Sequence, residues 1–189
     1  MTDDSTSHGT PLPIEIMRAL RGQKREPVPE HQRIFSHGLQ FHEAALRCLE
    51  TGADATFLPT QSTVLLALTV ELYLKAAVSS EGGAAQAGGH RLDKGFERLS
   101  APLRDEIVRQ YKDRCGRDAM EDLVSFSPIF VKFRYSYELQ GAHSVDLTSL
   151  GHLAASLYVV WITRHPEACA RDVLSRRITS PDQGIPIFR

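Results

Sequence analysis

Arg134 stands in an aromatic-rich run, with Phe130, Phe133, Tyr135 and Tyr137 around it. A guanidinium grips phosphate or carboxylate through two parallel hydrogen bonds, so Arg134 is a candidate anion clamp. The structural alternative, which ranks ahead of it, is a salt bridge to Glu138 or Glu71 with the rings stacked around the cation. His143 follows in a Gly-Ala-His-Ser turn, where exposure would let it serve as a general base. Eight residues separate it from Arg134.

Upstream, Glu71 and Lys75 lie one helical turn apart in an otherwise apolar segment. Exposed pairs at this spacing contribute only about 0.2–0.5 kcal/mol. Partial burial would raise the cost of leaving either unpaired to several kcal/mol. Arg134 is the expected partner for Glu71. His90 sits in a glycine-flanked turn and is expected to fix it through a backbone hydrogen bond, ahead of any catalytic role. His42 falls on an apolar helical stripe and reads as a core or interface histidine. His152 reads as lying off the buried face of its helix, with no triad around it.

Other chemistries find little footing. Cys48, Cys115 and Cys169 are widely spaced and odd in number, which suits free thiols in a reducing compartment and no metal-ligand spacing. No Gly-rich phosphate loop follows a strand, and no nucleophile elbow is present. Neither a cofactor nor a metal is therefore expected. The formal net charge is -1, so a basic face for nucleic acid would have to be local. The basic residues Arg18, Arg21, Lys24 and Arg25 read as a solvated helix face. The polar, acidic N-terminus does not read as a secretory signal. The apolar run from Val64 to Val78 is shorter than the roughly 20 residues a membrane span needs. A soluble, cytoplasmic protein is the expectation.

The elements that must hold these residues are helical. A chain of 189 residues fits one domain with tails. Residues 1–29 read as a tail, a short basic helix from Pro13 and a stiff Pro-Val-Pro linker. The bundle spans residues 30–165, with a terminal helix and tail over 166–189. A first helix from Glu30 to Glu50 carries the stripe Phe35, Leu39, His42, Leu46 and Leu49. A second follows Pro59, with Thr60 or Ser62 as its cap. It is apolar on almost every side, so it should be buried on every side and form the centre of the bundle. Leu68 belongs to that buried set. Two shorter helices follow, about Leu92 to Leu99 and from Pro102 to a Gly116 cap. Ala119 to Val124 allows a helical turn, and Phe126 to Glu138 reads as an irregular, extended aromatic segment across the bundle. The last core helix runs from an Asp146 or Thr148 cap to Arg164, with Leu147, Leu150, Ala154, Leu157 and Trp161 on its buried face. The expected fold class is an all-α bundle of about five main helices.

Two segments in this order carry a resemblance. The helix bearing Glu71, Leu72, Leu74, Lys75 and Ala76, then the turn Gly89-His90-Arg91-Leu92, together resemble the HEPN superfamily over roughly Gln32 to Trp161. The segment Phe133-Arg134-Tyr135-Ser136-Tyr137-Glu138 is similar to an Arg-Tyr segment in some bacterial members. The resemblance implies a homodimeric helical bundle from a prokaryotic defence or toxin–antitoxin type system. It implies Arg134, Tyr135, Glu138, His90, Glu71 and Lys75 as candidate binding residues. Many HEPN domains are metal-independent ribonucleases marked by an Arg followed by a His after four to six intervening residues, on a helix late in the bundle. There the His moves a proton and the Arg stabilises developing charge. Arg134 and His143 are the corresponding catalytic pair here, but their spacing departs from that pattern. Arg25 and His31 have a permitted spacing and flank the Pro-rich linker instead. A non-catalytic module binding a nucleotide or a partner protein is therefore the first expectation. A ribonuclease or RNA-binding protein is the alternative, and a structural oligomeric bundle the third.

Overall fold

The computed structural model of the chain describes residues 27–50, 57–86, 89–134 and 145–166. Seven helices make up this region: α1 Glu30–Arg47, α2 Pro59–Ser80, α3 Leu92–Glu97, α4 Ala101–Cys115, α5 Ala119–Phe126, α6 Ile129–Arg134 and α7 Leu147–Arg164. No strand occurs among the described residues. The fold class is all-α.

Local chemistry sets the boundaries. Proline lacks an N–H and is pre-set for the first helical turn, and Pro59 and Pro102 open α2 and α4 in that way. Gly116 ends α4 in the left-handed conformation at φ 73°, which a residue without Cβ adopts freely. Asp146 caps α7 by accepting from Ser149 N at 3.0 Å. Asp118 caps α5, with Met120 N at 2.8 Å and Glu121 N at 2.9 Å. At the start of α2 neither expected cap acts. Ser62 lies inside the helix and donates to the Ala45 carbonyl of α1.

α1 and α2 form an antiparallel hairpin. Leu58 N donates to Cys48 O at 2.8 Å where the two helices connect. Gly38 lets the helices approach, since a Cβ there would stand 2.9 Å from the Tyr73 ring. Around the hairpin, α7 packs against α2 and α4, α6 lies on α2, and α5 bridges α4 and α7. The core joins Phe35, Tyr73, Leu74, Ile107, Tyr111, Leu150 and Tyr158. Phe35 stacks between Tyr73 and Trp161, with centroids 4.8 and 4.7 Å away. Burying aromatics of this size dominates core energetics.

Three further expectations change. The aromatic segment is not extended over its first half, because Ile129–Arg134 is a helical turn with Ile129 in the core. His152 lies buried on α7, because that helix is enclosed at every position from 149 to 158. α2, in turn, is not covered all round. Val64, Leu65, Leu68 and Leu72 line a half-exposed stripe that continues to Lys75 and Ser79. At 22 residues α2 is long and apolar enough to cross a membrane by length and composition. Two-thirds of its apolar window, 67%, is nevertheless buried in the bundle, as in the core helix of a soluble protein.

Candidate functional site

Glu71 enters the core from α2 with only 5% of its surface exposed. A lone carboxylate there would be strongly destabilising, and two side chains answer it. Lys75, one turn later, donates its Nζ to Oε1 at 2.6 Å. His90 reaches Oε2 through Nδ1 at 2.9 Å. The turn that delivers His90 begins at Gly89, whose φ of 60° favours glycine. Three of the residues singled out in the sequence therefore meet at one point. Lys75 and His90 are the partners seen at Glu71; the side chain of Arg134, the expected partner, lies outside what the structure describes. His90 fixes its turn to α2 through this carboxylate.

The next residues extend the joint. Arg91 clasps Asp93 with both Nε at 2.9 Å and Nη2 at 2.6 Å. Ser127, after α5, donates to Asp93 Oδ1 at 2.9 Å while its Oγ accepts from Leu92 N at 3.0 Å. The Arg91 guanidinium, with Ser127, holds the Asp93 carboxyl well below the usual range. These bonds tie the start of α3 to α2 and to the end of α5. Asp93 and Ser127 carried no sequence signal, since their pairing spans a separation of 34 residues.

A second polar network sits at the N-terminal end of α7. Tyr111 donates to Asp122 at 2.6 Å, and Arg117 grips the same carboxylate at 2.7 and 2.5 Å. The Arg117 guanidinium lowers the Asp122 pKa, and burial with this carboxylate raises that of Tyr111. Arg117 also stands 3.5 Å from Asp146, the α7 cap.

His42 is buried, as its place on the stripe foretold, and shares a 3.1 Å hydrogen bond with the Tyr73 hydroxyl. Burial pulls its pKa down to about 3. It is a neutral core histidine.

Between α2, α4 and α7 lies a cleft of about 310 Å³. Tyr73, Ala77, Leu103, Ile107, Leu157 and Trp161 form its walls, and Ser80, Glu81, Arg164 and His165 its polar rim. Glu81 accepts from Ser100 through both oxygens. Arg164 pairs with Glu106 at 2.7 Å. This volume falls at the lower end of small-molecule sites, which are mostly apolar with a few placed polar groups. The sequence pattern gave no hint of it, because its walls come from three separate helices.

The remaining candidates are placed as follows. Arg134 is the last residue of α6, described in its backbone alone. Tyr135, Glu138 and His143 lie outside the described residues, as do the basic N-terminal segment, Arg25 and Cys169. Among the described residues, no group of three or more His, Cys, Asp or Glu side chains is gathered as a metal site. Compared with protein-family models, curated proteins and solved structures, the chain matches none of them.

Proposed function

We propose that this chain is a HEPN-like, non-catalytic interaction module, of the kind used in bacterial defence or toxin–antitoxin type systems. Its ligand is a partner protein, a second copy of itself included. The half-exposed stripe Val64, Leu65, Leu68 and Leu72 carries this reading. A contiguous apolar strip on an otherwise buried helix is what a partner's apolar face covers. The polar candidates support the same view. Glu71, Lys75 and His90 direct their hydrogen bonds at one another, which suits a structural joint. A nucleotide would call for cations to receive its phosphates, whereas Lys75, Arg91, Arg117 and Arg164 are each engaged with a carboxylate.

Light scattering on the purified chain tests the reading. Wild type is expected to self-associate or to form a complex with a co-expressed neighbour-encoded protein. Leu68→Glu is expected to abolish that association while keeping a cooperative melt. Association that persists undiminished in Leu68→Glu would reject the face. Incubation with total RNA in the presence of a chelator is expected to leave the RNA intact. Cleavage that disappears in both Arg134→Ala and His143→Ala would establish the ribonuclease alternative instead.

A further inference from the structure

The open stripe of α2 has an order of its own. Gln61, Val64, Leu68, Leu72 and Lys75 follow one another along it, all exposed or half-exposed. Their spacing of 3-4-4-3 reads the same from either end, with Leu68 at the centre. At about 100° per residue the five fall within roughly 80° of the helix circumference, a line that runs straight along a straight helix. Leu65, beside them, packs onto the core, whereas Val64, Leu68 and Leu72 stand outside the core cluster. Apolar side chains hold the middle of the line and polar ones its ends, the arrangement of an interface core and its rim. Lys75 donates to Glu71 at 2.6 Å and keeps 26% of its side chain exposed.

Resting on the reading of this stripe as a partner face, we propose that the partner is a second copy of the chain, with the two α2 helices packed antiparallel across a two-fold axis at Leu68. A two-fold contact needs a surface that complements itself, and a line symmetric about its own midpoint supplies one. Leu68 meets the partner's Leu68. Val64 meets the partner's Leu72, the smaller side chain against the larger. Gln61 meets the partner's Lys75, an ammonium with N–H groups left over from Glu71 to donate to the amide oxygen. The parallel alternative sets Lys75 against the partner's Lys75, and facing like charges are costly. A dissimilar partner would require no such symmetry, so the palindromic spacing selects a second copy.

Cysteine cross-linking of the full chain tests the arrangement. Val64→Cys and Leu72→Cys are each purified alone and also co-expressed, then oxidised with copper phenanthroline. Mass spectrometry of the linked peptides tells the new cysteines from the native ones. A disulfide needs Cβ atoms about 4 Å apart. In the antiparallel pair each of these residues lies roughly 12 Å along the axis from its own copy. Neither variant is therefore expected to link alone, and the co-expressed pair is expected to link 64 to 72. A dimer without that link, or with each variant linking to itself, would overturn the antiparallel contact. Gln61→Glu, at an exposed position that folding tolerates, is expected to tighten the dimer about threefold in analytical ultracentrifugation by pairing with the partner's Lys75. A weakened dimer in that variant would overturn the contact too. A wild-type monomer that still forms a Leu68-dependent complex with a different protein would overturn the second copy and leave the partner face standing. A monomer that forms no complex at all would overturn both.

Discussion

The two long core helices, α2 and α7, are both apolar and yet are enclosed to different degrees. α2 is apolar on nearly every side, yet it leaves Leu65, Leu68 and Leu72 half-exposed. α7 carries Ser149, Gly151, His152 and Ser156, yet it is buried without a break from 149 to 158. Neighbours explain the difference better than polarity. Gly151, Ala154, Ala155 and Ser156 give α7 a slender middle, where α2, α4 and α5 close on it from different directions. α2 meets α1, α3, α6 and α7, and its stripe from Val64 to Leu72 stays partly exposed between them. Close packing at small residues lets a helix be enclosed on every side.

The largest effect should come from exposing α2's one buried charge. Lys75→Met with His90→Leu strips both partners from Glu71, and a loss of about 3–5 kcal/mol is expected in denaturant melts. A loss below about 1 kcal/mol would mean the carboxylate has another outlet. Next comes crowding of α7's slender middle. Ala154→Leu adds bulk at a fully buried position, and overpacking should cost about 1–3 kcal/mol. Leu68→Lys on the open stripe should cost less than that. If the order of these two reversed, the comparison of the helices would collapse.

Acid tests the buried histidines of α1 and α7 together. An unfolded histidine titrates near 6.5, whereas burial beside Tyr73 holds His42 down to about 3. Between those values the unfolded chain carries the extra proton, so stability should fall as pH drops from 6.5 toward 3. The slope reaches about 1.4 kcal/mol per pH unit. His152 on α7 is lowered too, first by burial and then by Arg114, and adds in the same direction. His42→Gln should flatten the pH–stability curve measured by urea melts over this window. A curve as steep as wild type would place the acid sensitivity elsewhere. The smallest effect belongs to Ser156→Ala. The Ser156 hydroxyl is fully buried without a partner, so its removal should leave stability unchanged or raise it by less than about 1 kcal/mol. A clear loss on differential scanning calorimetry would reveal a partner.

The sequence disclosed whatever is settled within one or two turns of chain. The proline starts of α2 and α4, the Gly116 cap, the Asp146 cap, the stripe of α1 and the burial of His42 all follow from local pattern. The Glu71–Lys75 pair is local as well, and its spacing displayed it. What stayed hidden depends on partners distant in sequence. His90 and Glu71 are separated by 19 residues, and Ser127 and Asp93 by 34. Nothing in either neighbourhood names the other. His152 reads as outward because the apolar stripe of Leu147, Leu150, Ala154, Leu157 and Trp161 does not include it. The helical turn of α6 eluded periodicity because six residues, all but Lys132 and Arg134 apolar, show no face.

Gly38 has a consequence for the order in which the molecule assembles. It brings α1 and α2, neighbours in the chain, into close contact across a short connection, and helix pairs with such local contacts form fast. α7 arrives after many more residues and must close a long loop to reach Tyr73. The hairpin should therefore be the first part to gain protection in pulsed hydrogen exchange, with its aromatic flank bare until α7 docks. During that interval the rings of Phe35 and Tyr73 face water, and it is then that the chain is most exposed to aggregation.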